Sequence, residues 1–85
     1  MVEMSFGERI ALLRRRQGMT QREVAEESGV HRNTIARLER GVLHDLPGSA
    51  VGRLARALGT SADFLLGLTD NEEPSESEAV APSAA

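Results

Sequence analysis

The chain has 85 residues, with no Cys, no Trp, no Tyr and a formal net charge of −3. That length holds one small domain. The missing cysteines exclude a disulfide framework and a thiolate metal site, and no apolar run reaches the roughly 20 residues of a membrane-spanning helix. The charge is divided by position. Ten arginines and eight acids lie at or before Asp63, a balance of +2, while Asp70, Glu72, Glu73, Glu76 and Glu78 make the end of the chain acidic.

Ser5 and Glu8 have the spacing of a capping box, and Phe6, Ile10, Leu13 and Gln17 follow at helical intervals, so a first helix is expected over residues 6–17, stopped by Gly18. Thr20 and Glu23 repeat the capping box and start a second helix at Gln21. Val24 and Ala25 form its inward face, and Gly29 stands where the chain must stop and turn. A third helix follows from about His31, with Ile35 and Leu38 inward and Gly41 at its end. Ala25 is small, as a close crossing of the second and third helices requires. Residues 41–47 have no helical period and form a loop, with Leu43 or Leu46 turned back onto the core. A fourth helix is expected from near Ser49, burying Val51, Leu54 and Leu58 and ending at Gly59. Thr60 or Ser61 caps a short fifth helix with Asp63 in its first turn. This is an all-α, five-helix domain over residues 1–69. The stretch from Asp70 onward, rich in Glu, Ser, Pro and Ala, is expected to be a disordered acidic tail.

The stretch from Thr20 to Gly41, TQREVAEESGVHRNTIARLERG, resembles the helix-turn-helix of phage lambda-type repressors and Cro proteins, the XRE family. The likeness extends to RRRQGMTQ at Arg14–Gln21 and to LARALGTSADFLLG at Leu54–Gly67, and covers residues 5–68. It implies a lambda-repressor-like fold in which the third helix enters the major groove of DNA.

On that reading Arg32, Asn33 and Arg37 face base edges. Arginine can donate two hydrogen bonds to guanine O6 and N7, and asparagine can pair its amide with adenine N6 and N7. Gln21, Thr34 and Arg40 are the expected phosphate contacts, Gln21 because a helix start presents free N–H groups and a positive dipole end. The family also implies an ion pair between Arg14 and Glu39 that ties the first helix to the end of the third. His31 departs from the Ser or Thr common at its position, which weakens the expected cap. It reads as an ordinary side chain, the alternative being a phosphate contact that tightens on protonation. His44 has no metal-ligand spacing around it, and no metal or cofactor is expected.

One recognition helix reads too few base pairs to single out a site in a genome, so a homodimer reading an inverted repeat is expected. Phe64, Leu65, Leu66 and Leu68 exceed what one short helix can bury and form the expected interface. The resulting expectation is a cytoplasmic, nucleoid-associated repressor of transcription. The alternative is a module of the same fold that recruits a partner protein, for instance through its acidic tail. With no Cys or Tyr and only two His, no catalytic constellation is visible.

Overall fold

The computed structural model describes residues 3–74, which form five helices and no strand. Helix α1 (Phe6–Arg16) starts at a reciprocal cap. The Ser5 hydroxyl accepts from the Glu8 N–H at 3.2 Å, and the Glu8 carboxylate accepts from the Ser5 N–H at 2.8 Å. Helix α2 (Gln21–Ser28) starts in the same way at Thr20 and Glu23, with bonds of 3.0 and 2.8 Å. Each box satisfies two N–H groups that a helix start leaves without intrahelical partners.

Helix α3 (Arg32–Glu39) follows a tight turn through Gly29, whose φ of +74° lies in the left-handed region that glycine enters without steric cost. Helix α4 (Gly48–Leu58) begins one residue before Ser49, with Pro47 as its N-cap and no side-chain capping bond. Helix α5 (Ala62–Leu65) is capped by Ser61, whose hydroxyl accepts from the Phe64 N–H at 3.0 Å.

The helices close around Ile10 and Leu13 of α1, Val24 of α2, Ile35 and Leu38 of α3, Leu54 and Leu58 of α4, and Phe64 and Leu65 of α5. Leu43 and Leu46 both turn back from the α3–α4 loop onto this core. Helix α1 packs against α3 and α5, and α2 against α3 and α4. Ala25 packs against the core from α2, and a second close approach lies at Gly7. A Cβ built on Gly7 would lie 1.8 Å from the Leu38 carbonyl oxygen, so α1 can sit against the backbone of α3 only because that position has no side chain. An isolated glycine within a helical pattern is the sequence signal for such a contact.

Two expectations change. Phe64 and Leu65 are 4% and 0% exposed and belong to the core, whereas Leu66 and Leu68 are 51% and 72% exposed. The reason is Arg9, which is buried beneath the end of α5. Its guanidinium carbon lies 4.6 Å from the Phe64 ring centroid, and its Nη1 donates to the Phe64 carbonyl at 3.2 Å. The cation over the ring face and the bond to a helix-terminal carbonyl hold Phe64 inward. Of the four residues expected at an interface, Phe64 and Leu65 are thus core residues, and Leu66 and Leu68 are the two that the fold leaves exposed.

The second change concerns residues 70–72, which do not leave the domain at Asp70. Asp70 lies 3.8 Å from Arg9, Glu72 pairs with Arg16, and the buried Thr60 hydroxyl donates to the Glu72 carbonyl at 2.6 Å. Arg9 and Arg16 are seven residues apart and so share one face of α1, where they meet the first acids of the stretch read as a tail. The remainder of that stretch, residues 75–85, lies outside the described residues.

Candidate nucleic-acid interface

The turn between α2 and α3 is fastened from both sides. The Ser28 hydroxyl accepts from the Val30 N–H at 3.1 Å, and Arg53 of α4 donates through Nε to the Ser28 carbonyl at 2.9 Å. Val30 is buried. Its burial and the Arg53 bond fix where α3 begins.

His31 is the residue that caps α3. Its Nδ1 accepts from the Asn33 N–H at 3.1 Å, the bond a Ser or Thr would make. The weakened cap expected from the sequence is thus corrected, since an imidazole nitrogen can serve as the acceptor. Accepting at Nδ1 places the ring proton of the neutral form on Nε2.

Along α3, Ile35 and Leu38 are 0% and 1% exposed, while Arg32, Asn33, Arg37 and Arg40 are exposed. Thr34 is half-buried. The helix is therefore apolar where it meets the core and basic where it meets solvent. An open groove between α2 and α3 continues the exposed surface, with Arg22, Glu26, His31 and Arg32 on its walls.

Glu39, the one acid of α3, does not offset this basic face, because it is turned inward. Arg14 of α1 donates to it twice, Nε to Oε2 at 2.7 Å and Nη2 to Oε1 at 2.8 Å. Gln21 Nε2 donates to the same carboxylate at 3.1 Å. Burial alone would push the Glu39 carboxyl up, but the bonds from Arg14 and Gln21 and the charges of Arg14 and Arg15 outweigh it and hold the carboxyl below its ordinary 4.5. The bond to Glu39 likewise raises the Arg14 guanidinium against the effect of its own burial. One carboxylate thus joins the end of α1, the start of α2 and the end of α3.

Gln21, half-buried, has one amide N–H committed to Glu39. Its second amide N–H and the unpaired backbone N–H groups of the first turn of α2 remain the donors at that helix start. The sequence reading missed Gly7, Arg9 and Arg53, and it missed the capping role of His31. Arg9 and Arg53 carried no usable signal, because a buried arginine that bonds carbonyls has the same local pattern as a surface one. Among the described residues there is no cluster of three or more His, Asp or Glu able to hold a metal ion. No helix there is long and apolar enough to cross a membrane.

A short helix joined by a fastened turn to a second helix with a basic outward face defines a helix-turn-helix domain of the DNA-binding class. The helix-turn-helix family matches residues 10–65, about two-thirds of the chain, and the chain belongs to it as a Cro/C1-type, XRE-family DNA-binding regulator. This family is a DNA-binding regulatory domain and not an enzyme family. Comparisons with curated proteins and with solved structures returned no match.

Proposed function

We propose that the protein binds an inverted-repeat operator as a homodimer and represses transcription by occupying it. The observation that carries this reading is the division of α3 into a buried apolar side, Ile35 and Leu38, and an outward side bearing Arg32, Asn33 and Arg37. In the major groove those three side chains face base edges. Arg40, the second amide N–H of Gln21 and the Thr34 hydroxyl face phosphates. The bonds from Gln21 and Arg14 to Glu39 hold α1, α2 and α3 in fixed relation, so that phosphate contacts set the register of the base contacts.

Leu66 and Leu68 supply the apolar centre of the dimer contact. They lie at and beyond the end of α5, and each protomer presents the same pair to its copy, as two-fold symmetry demands. A recognition helix on each protomer then reads successive half-sites about 34–36 Å apart.

Selection of sites from a random duplex library, followed by binding of the best site by the parent and by Arg32→Ala, tests the reading. An enriched inverted repeat, with discrimination lost at one position of each half-site in the variant, supports it. Binding that falls with salt equally for every sequence overturns it. Sedimentation of Leu66→Glu/Leu68→Glu tests the dimer, and a mass equal to the parent's removes this contact.

A further inference from the structure

We propose that Val42 is a specificity-determining residue that contacts the C5-methyl group of a thymine next to the base read by Arg37. The proposal rests on the major-groove reading above and adds to it a residue and the base feature it reads. Val42 is 58% exposed, one of three large apolar side chains exposed among the described residues, the others being Leu66 and Leu68. Those two belong to the end of α5. Val42 stands apart, directly after α3.

Its position is built. Helix α3 ends with Gly41 left-handed at a φ of +78°, the Gly41 N–H donating to the Leu38 carbonyl at 3.1 Å and the Val42 N–H to the Arg37 carbonyl at 3.0 Å. This motif folds the residue after the glycine back alongside the residue whose carbonyl it bonds, and an apolar contact between the two commonly accompanies it. Here the residue alongside is Arg37. The next residue, Leu43, is half-buried and packs on the core, so two consecutive apolar residues divide, one inward and one outward.

The outward valine is bonded through its backbone to Arg37 and follows Arg40, the C-cap of α3, both of them exposed. A protein partner would find there a single apolar side chain at a helix end that carries exposed arginines, far short of the apolar core of a protein interface. A DNA base edge fits both parts. Thymine is the base that shows an apolar group in the major groove, and valine can cover it while the arginines meet base acceptors and phosphates.

The test uses the full chain and the half-site obtained by selection. Each thymine is replaced in turn by deoxyuridine, which removes the methyl group and leaves the pairing unchanged. For the parent, one replacement is expected to weaken binding about four-fold per half-site, the worth of one buried methyl group. For Val42→Ala that penalty disappears at the same position, whereas Val42→Ile retains it. Melting temperatures of both variants within error of the parent's show that the fold is intact. Tolerance of deoxyuridine at every thymine, a half-site without thymine, or an equal penalty in Val42→Ala would each overturn the assignment of Val42. Failure to enrich any site overturns the major-groove reading itself, a result distinct from an enriched site that is indifferent to its methyl groups.

Discussion

Arg14 and Glu39 lie 25 residues apart in sequence and meet as a two-bond fork of 2.7 and 2.8 Å, with side chains 13% and 5% exposed. Little water reaches either group, so the charge of each is compensated chiefly by the other, with Gln21 donating to Glu39 and the Met19 carbonyl accepting from Arg14 at 2.9 Å. Removing one partner leaves a charge without compensation, which costs about 3–5 kcal/mol. At about 4–8 °C per kcal/mol in a domain of this size, Glu39→Ala is expected to lower the melting temperature by more than about 12 °C. Thermal unfolding followed by circular dichroism measures it, and a shift of a few degrees would show that the fork adds little.

The same carboxylate sets an acid limit. Glu39 is held below its ordinary 4.5 in the folded protein, so between 4.5 and the lowered value the unfolded chain takes up the proton more readily than the native one. Its contribution is complete above 4.5 and is lost as pH falls through the folded value. Melting temperature plotted against pH is expected to fall in that window for the parent and less steeply for Glu39→Gln. Parallel slopes would assign the acid limb to other carboxylates.

Two glycines in helices should respond with opposite sign to alanine. At Gly7 the new Cβ meets the Leu38 carbonyl at 1.8 Å, and α1 must move away from α3. Overpacking of this kind costs about 1–3 kcal/mol, or more where backbone is the obstacle. Gly52, inside α4, has nothing within 4 Å of an added Cβ, so alanine there gains about 0.5–1 kcal/mol through helix propensity. Urea unfolding of the two variants separates these signs.

His31→Ala removes the acceptor for the Asn33 N–H and is expected to cost about 1 kcal/mol, the usual loss of an N-cap. His31→Ser restores the acceptor and should recover most of that loss. Failure of serine to recover it would mean that the ring contributes by contacts other than the cap.

Residues 70–72 give a further comparison. Glu72→Ala removes only the solvent-exposed pair with Arg16, a change expected to stay within about 1 kcal/mol. Deleting residues 70–85 also takes away the backbone carbonyl that accepts from the Thr60 hydroxyl, adding about 1 kcal/mol to the loss. Equal melting temperatures for the two variants would show that the Thr60 bond contributes nothing measurable.

What could be read without a structure is local. Helix starts at Ser5 and Thr20 depend on a residue three positions ahead, the stop at Gly29 depends on the conformational freedom of one residue, and the inward sides of α2 and α3 follow from helical spacing. Such signals lie within one or two turns of chain and so are written in the sequence. The helix-turn-helix resemblance added the long-range contact of Arg14 with Glu39, which no local spacing contains.

Tertiary structure alone decided the rest, because it depends on which surfaces meet. Phe64 and Leu66 are equally apolar neighbours, yet Arg9 beneath the end of α5 takes the first into the core and leaves the second in solvent. Gly7 matters through a carbonyl 31 positions away, and Asp70 and Glu72 stay with the domain because α1 presents Arg9 and Arg16 on one face. Composition and periodicity cannot rank such alternatives, since each pairing is favourable only once the packing of the helices has brought its two members within reach.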